Sequence, residues 1–188
     1  MALLAKGENP GFCLYVLLSD YPDRTSRFLK RLGMWKYSHA SISTGRASPS
    51  FFSFTGKHGF RVESPWRHPT YKGQPVNCAL YRIPISAFAE GLAAGEIEDF
   101  VRRGSVFNYS YFGLILMYLG LRYHSARRHT CVSFVSRVLE LSGAVPRSLC
   151  RKLVKPDDFA RRFRRQIVYE GTLHQLTQTF LPDAADRD

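Results

Sequence analysis

The sequence predicts an α+β fold in which a central antiparallel sheet packs against one amphipathic helix. The apolar run from Phe12 to Ser19 is typical of a buried strand. Residues 37–43 and 51–55 alternate between two faces, and the turn-rich stretch between them indicates a hairpin. After Thr130, apolar side chains recur at helical spacing, which predicts a helix over 130–141 that buries one face.

The rest of the chain is predicted to add four helices and two strands around this core. Glycines that follow a periodic segment mark the helix ends, because glycine adopts the left-handed conformation of a C-terminal cap. In chain order these elements are a short basic helix over 25–32, a strand over 78–85, helices over 86–103, 109–121 and 155–159, and a closing strand over 166–170.

Length and composition favour one globular domain. The chain has 188 residues, of which 45% are hydrophobic and 14% aromatic, and this excludes a disordered protein. We expect a single domain over 1–181, followed by a loose tail over 182–188. No secretory signal is visible at the N-terminus, and the apolar stretch 111–121 is too short to span a bilayer, so the sequence predicts a cytoplasmic protein.

The four cysteines are scattered without the paired spacing of a metal site. Neither a metal nor another cofactor is therefore expected, and sparse unpaired cysteines suit a reducing compartment. The four are Cys13, Cys78, Cys131 and Cys150.

Positive charge is concentrated near the C-terminal end. The net charge is +12, and residues 147–165 hold eight arginines and lysines against two aspartates. Such a cluster either attracts an anionic surface or forms a solvated helix face. No nucleic-acid-binding module accompanies it, so a stable nucleic-acid partner is not expected. The candidate contacts to an anionic surface are Arg161, Arg162, Arg164 and Arg165.

Cys131 is the candidate nucleophile. It lies where a polar segment gives way to the helical pattern, so it falls in the first turn of the predicted helix on the inward face. A helix N-terminus lowers the pKa of a thiol placed there, and the thiolate is the nucleophilic form. The alternative is a small buried cysteine that fills a gap in the core.

His39 is the candidate base. A cysteine nucleophile needs a base, usually an imidazole that a third polar group holds in place. Among the six histidines only His39 lies within a predicted strand, on a polar face beside the core. His129 is near Cys131 in sequence but precedes the helix, so its ring is expected to point away. A structural role for His39 is the alternative.

Seven motifs occur in an order that resembles a known family. They span about residues 12 to 173 and are Cys13 to Ser19, Tyr37 to Ser43, Phe52 to Phe54, Asn108 to Leu114, Thr130 to Gly143, Lys155 to Phe159 and Val168 to Gly171. In this order the chain resembles the circularly permuted papain-like cysteine hydrolases. These are permuted relatives of the NlpC-type cell-wall endopeptidases, akin to YiiX-type proteins and to lecithin:retinol acyltransferase.

The resemblance implies a papain-like, permuted NlpC-type fold with Cys131 as nucleophile and His39 as base. It also implies that the third polar group comes from the strand after the histidine. Ser53 and Thr55 fit this place because they are expected to share a face with His39, whereas His58 fits the chemistry better but lies past a glycine.

Three tyrosines are candidates for the substrate cleft. Tyr37 is expected on the same strand face as His39, and Tyr15 could place a hydroxyl nearby. Tyr109 belongs to an aromatic segment that is expected to form core and cleft wall, and the alternative is a platform on which nucleic-acid bases stack.

The sequence therefore predicts a cysteine-dependent hydrolase or acyltransferase. Cys131 would attack an amide or ester carbonyl and form a thioester, with the helix N–H groups holding the oxyanion. The expected substrate is a peptide, a small amide or a lipid acyl group. The alternatives are a papain-like binding module without turnover, and a protein that binds anions, nucleic acid or a membrane surface through its basic face.

Overall fold

The computed structural model describes residues 11–22, 35–45, 50–67 and 69–180. The predicted helix over 25–32 and the predicted tail over 182–188 lie outside the described residues. The described part confirms the coarse prediction, because it is a mixed α+β structure with a six-stranded antiparallel sheet.

The sheet has the strand order β10-β7-β1-β2-β3-β4, and every neighbouring pair is antiparallel. The central strand β1 pairs with β2 in a register that places Ser19 opposite His39. The strands are β1 (Cys13–Asp20), β2 (His39–Ser43), β3 (Phe51–Thr55), β4 (Gly59–Glu63), β7 (Asn77–Pro84) and β10 (Ile167–Thr172).

Two small ladders lie outside this sheet. The antiparallel pair β5 (Thr70–Tyr71) and β6 (Gln74–Pro75) forms a short hairpin after β4. The parallel pair β8 (Asn108–Tyr109) and β9 (Arg128–His129) brings the segment before Cys131 beside the segment that precedes the helix over Tyr111–Tyr118.

Six helices pack around the sheet in the described part of the chain. They are α1 (Ala87–Arg102), α2 (Tyr111–Tyr118), α3 (Cys131–Leu141), α4 (Arg147–Cys150), α5 (Pro156–Arg162) and α6 (Leu173–Phe180). Helix α3 packs on β2 and β3 and contributes to the larger core, whereas α6 covers part of the opposite face of the sheet.

Strand β1 is buried on both faces, which explains its continuous apolar sequence. Its even-numbered side chains, Leu14, Val16 and Leu18, belong to the same core as α3. Its odd-numbered side chains Cys13, Tyr15 and Leu17 belong to a smaller core that includes Leu173 and Leu176 of α6. The sheet is therefore held from both sides.

Helix α3 begins with a capping box. The Ser133 N–H donates to Thr130 Oγ1 at 3.1 Å, and the Thr130 N–H donates to Ser133 Oγ at 2.8 Å. These bonds satisfy two backbone donors at the helix start and fix the direction in which the chain enters it. Because the buried face of α3 rests on β2 and β3, the first residue of the helix, Cys131, is held against the sheet.

The structure differs from the sequence prediction mainly in element bounds and in short elements. The helix predicted over 109–121 spans only Tyr111–Tyr118, because Ser110 caps its start and Gly120 has a φ of +75°. The predicted helix over 86–103 is unbroken, with the Ser86 hydroxyl accepting from the Ala89 N–H. Strand β4 was not predicted, since two of its five side chains are exposed and its apolar pattern is weak.

The arginines of the basic cluster are exposed near the β10 edge of the sheet. Arg161 forms an ion pair with Asp158, which lies in the first turn of the same helix. Arg162, Arg164 and Arg165 are exposed as well. Binding of an anionic surface by this cluster stays a prediction.

Within the described ranges, none of the helices combines the length and the apolar character that crossing a lipid bilayer would require.

Removal of the cap that starts α3 is expected to destabilise the protein. Thr130→Ala deletes one half of the capping box, so we expect the free energy of unfolding to fall by about 1 kcal/mol. Urea denaturation followed by circular dichroism measures this. The matched control is Thr70→Ala, because Thr70 is exposed and its hydroxyl bonds to no described residue; equal losses in both variants would contradict the role given to the cap.

Candidate active site

Cys131 is the first residue of α3 and lines a wide cleft. It is 3% exposed. The first N–H groups of a helix have no partner within the helix, and in the described part of the chain no acceptor pairs with the Cys131 N–H. The sulfur and a free backbone donor therefore lie at the same point of the cleft.

His39, the first residue of β2, forms an ion pair with Glu63, the last residue of β4. The Nε2 atom of His39 lies 2.9 Å from Oε1 and 3.2 Å from Oε2 of the carboxylate. The two side chains are 12% and 17% exposed. The pair links β2 to β4 across β3, which lies between them in the sheet.

The Cys131 thiol lies close enough to the His39 ring to favour its charged form, and both side chains line the same cleft. Because Nε2 is engaged by Glu63, Nδ1 is the ring nitrogen that stays available to the thiol. The structure thus brings a thiol, an imidazole and a carboxylate together. This is the arrangement of a nucleophile, a base and an orienting group.

The protonation of His39 results from opposing effects. Burial disfavours the charged ring, but the Glu63 carboxylate and the contacts with Cys131 and Glu63 outweigh burial and raise the pKa of His39 well above its usual value. The surroundings of the ring therefore favour its charged form.

Aromatic residues enclose this group of three side chains. The Tyr21 ring meets the His39 ring edge-on, with 5.9 Å between the centroids. Burial, and after it the neighbouring Cys131, raises the pKa of Tyr109 far above its usual range, so this phenol stays neutral. Tyr109 lines the cleft beside Cys131, as the sequence predicted for a cleft wall.

The cleft itself is open and has a volume of about 1150 Å³. Its walls come from the β3–β4 hairpin, from the β5–β6 hairpin and from α2, with Cys131 and His39 at its base. A volume of this order accommodates a ligand larger than a single amino acid.

The residue hydrogen-bonded to His39 is Glu63, so the expectation of Ser53, Thr55 or His58 in this place was wrong. The Ser53 hydroxyl is buried and donates to the Ala40 carbonyl at 2.6 Å, so it stabilises the strand pair instead. Thr55 and His58 both line the cleft, but neither is hydrogen-bonded to His39 in the described part of the chain.

One feature of the sequence points to Glu63, although the strand pattern does not. Glu63 is the only acidic residue between Asp23 and Glu90. In a strongly basic chain, a single carboxylate within such a long interval after a candidate histidine is a candidate partner for that histidine. The strand that carries it was missed, so its proximity to His39 could not be inferred.

Tyr37 and Tyr15 do not reach the cleft, in contrast to the expectation. Tyr37 is 2% exposed, and its hydroxyl donates to Glu170 Oε1 at 3.1 Å on the far edge strand β10. Tyr15 lies in the smaller core on the opposite face of the sheet from α3. Side chains alternate between the faces of a strand, and the odd-numbered positions of β1 point away from α3.

The surroundings of the other three cysteines are those of structural residues. Cys13, Cys78 and Cys150 are free and buried. Burial raises the pKa of the Cys78 thiol to about 12 and, as the largest effect, raises that of Cys150 to about 11. Neither thiol forms a nucleophile at neutral pH.

His129 is a buried core residue in spite of its nearness to Cys131 in sequence. Its ring lies 5.1 Å from that of Phe54 and 5.2 Å from that of Phe100, measured between centroids. Burial and then the nearby Arg137 lower the pKa of His129 to about 4, so this imidazole is neutral. The expectation that it points away from the thiol agrees with this packing.

Neutralising the orienting carboxylate is expected to shift the titration of His39. Glu63→Gln keeps the shape of the side chain but removes the charge that most strongly favours the imidazolium, so burial prevails and the pKa of His39 should fall. The pH dependence of the His39 ring resonances measures this by NMR. The control Glu98→Gln, on the exposed side of α1, should leave it unchanged; an unchanged titration in Glu63→Gln would contradict the assigned ion pair.

No family model, no curated protein and no solved structure matches this chain. The function is therefore argued from the site.

Proposed function

We propose that the protein is a cysteine-dependent hydrolase or acyltransferase that acts on amide or ester bonds through a thioester on Cys131. The observation that carries this proposal is that the Cys131 thiol, at the start of a capped helix, lies in one cleft with the His39 ring, which the Glu63 carboxylate holds at 2.9 Å. A structural cysteine needs neither a neighbouring imidazole–carboxylate pair nor an open cleft.

Acylation uses the three side chains and the helix start. The Cys131 thiolate attacks the carbonyl carbon of the substrate, and the electron pair of the C=O bond moves to the oxygen. The Cys131 N–H donates to this oxyanion. When the intermediate collapses, the imidazolium of His39 gives its proton to the departing amine or alcohol, and the thioester remains.

Deacylation reverses the roles of the ring. The nucleophile is water, or the hydroxyl or amine of another acceptor. His39 is now neutral and accepts a proton from this nucleophile while its oxygen or nitrogen attacks the thioester carbonyl. The thiolate leaves, and the pair of thiolate and imidazolium is restored. Throughout both steps Glu63 holds Nε2, so that Nδ1 stays directed at the reacting atoms.

We also propose that the fold is a permuted papain-like arrangement. The strand that carries the histidine precedes the helix that carries the cysteine, and this helix packs on an antiparallel sheet that includes the histidine strand. The carboxylate as third member adds the strong orienting group that the motifs alone did not reveal.

Trapping of the thioester tests the proposed activity. We expect p-nitrophenyl acetate to give a burst of nitrophenol and a single acetyl adduct that peptide mapping assigns to Cys131 and that hydroxylamine removes. Cys131→Ala should give no adduct, and His39→Ala should slow acetylation by roughly 10²-fold or more. Quantitative mass spectrometry of the intact protein measures both effects.

The matched control is Cys13→Ala, which removes a buried thiol on the other face of the sheet. It should acetylate at the wild-type rate. Labelling that persists in Cys131→Ala, or that disappears equally in Cys13→Ala, would show that Cys131 is not the nucleophile.

A further inference from the structure

We propose that the cleft selects amide or ester substrates that carry a carboxylate or phosphate group together with an apolar part. This inference rests on the proposed function for the role of Cys131. It deepens that function by naming the class of substrate, and it stands on the charges and on the apolar surface of the cleft walls.

The charges along the cleft are unbalanced. Three cations, Lys57, Arg61 and Lys72, line it, and the one acidic residue among its lining is Glu63. Glu63 already forms an ion pair with His39. Within the described part of the chain none of the three cations forms an ion pair, so the described lining of the cleft carries an excess of positive charge.

Arg61 is the cation on the same strand as Glu63. It lies on β4 two residues before Glu63, and side chains at this spacing share one face of a strand. The carboxylate of Glu63 points to His39 from that face, so the exposed Arg61 side chain lies farther along the same wall. An anionic group of a bound substrate can meet the guanidinium in a bidentate contact.

Lys57 and Lys72 are held at the rim by local structure. Tyr111 donates its hydroxyl to the Gly56 carbonyl at 2.7 Å, which fixes the β3–β4 turn that presents Lys57. Lys72 has a φ of +51° in the β5–β6 turn, and its Nζ lies 5.6 Å from the centroid of the Tyr71 ring.

A row of aromatic rings runs from Lys72 to His39. Tyr71 meets Tyr21 edge-on at 6.1 Å between centroids, and Tyr21 meets His39 at 5.9 Å. This row connects Lys72 to His39 along the lining of the cleft that also contains Cys131.

Part of the cleft lining is apolar. Tyr109, Leu114 and Met117 line the cleft from β8 and α2, with Tyr111 at the helix start. A substrate seated over Cys131 therefore meets both cations and apolar surface. Cations and apolar surface in one cleft match a ligand with an anionic and an apolar part.

Charged thiol reagents test the inference without knowledge of the substrate. Sulfonatoethyl methanethiosulfonate is anionic, trimethylammonioethyl methanethiosulfonate is cationic, and both convert a thiolate to a mixed disulfide with release of methanesulfinate. We expect the anionic reagent to modify Cys131 of the wild type faster than the cationic one, once each rate is divided by its rate with free cysteine. Peptide mapping by mass spectrometry assigns the modified residue.

Variants of the lining cations should change this ratio of rates. Arg61→Gln is expected to lower the anionic-to-cationic ratio about threefold, and replacement of all three cations by glutamine about tenfold or more, because the field of an exposed charge acts over roughly a Debye length. Arg61→Lys should restore most of the ratio. The matched control Arg151→Gln removes an exposed cation outside the cleft and should leave the ratio within about 1.5-fold of wild type. A ratio that is unchanged in the triple variant, or that falls equally in Arg151→Gln, would overturn the inference.

Protection against a neutral reagent distinguishes the two kinds of anion. Hexanoate, hexyl phosphate, hexanol and hexylamine share a chain and differ in the head group, and each is tested at constant ionic strength against modification of Cys131 by methyl methanethiosulfonate. Stronger protection by hexyl phosphate supports a phosphate-bearing substrate, and stronger protection by hexanoate supports a carboxylate. Equal protection by hexanol, or better protection by hexylamine, would overturn the inference.

These outcomes are independent of the acetylation experiment. If the charge ratio responds to the cleft cations but no thioester forms, the proposed activity fails and the anion preference of the cleft stands. If a thioester forms on Cys131 but the ratio ignores the cations, the activity stands and the substrate class is wrong.

Discussion

The ion pair between His39 and Glu63 is the interaction on which the site depends. Burial of a charged ring and a carboxylate is unfavourable by itself, and only close contact between the two offsets it. At 2.9 Å between Nε2 and Oε1 the contact is close, and the neighbouring Cys131 further favours the charged ring. The pair therefore determines both the charge of His39 and the direction in which its second nitrogen points. Loss of either partner would leave the other buried without its counter-charge.

The scaffold holds this pair from two directions. The capping box and the buried face of α3 hold Cys131 against β2, whose first residue is His39. Strand β4 brings Glu63 from the edge of the same sheet, and its turn is tied to α2 through Tyr111. The sulfur, the ring and the carboxylate thus stand on regular elements, which hold catalytic geometry more accurately than loops do. The same elements form the cationic and apolar walls of the cleft.

The sequence predicted the parts of the site that follow from strong periodicity. The apolar stripe after Thr130 placed Cys131 at a helix start, and alternation placed His39 on a strand. The sequence did not predict the role of Glu63. Two side chains of β4 are exposed, and the register of its pairing is set by a turn, which the apolar pattern of the sequence does not reveal. The sequence also placed Tyr15 in the cleft incorrectly. Strand β1 is buried on both sides and shows no alternation, so its sequence does not reveal which side chains point toward α3.

A double-mutant cycle on the rate of Cys131 acetylation tests the central claim most directly, namely that Glu63 acts on Cys131 through His39. Four proteins are compared: wild type, His39→Ala, Glu63→Ala and the double variant. If the carboxylate works through the ring, Glu63→Ala slows the reaction in the presence of His39 but changes the rate by less than about twofold when His39 is already alanine. Losses that multiply in the double variant would show that the two residues act independently and would contradict the account.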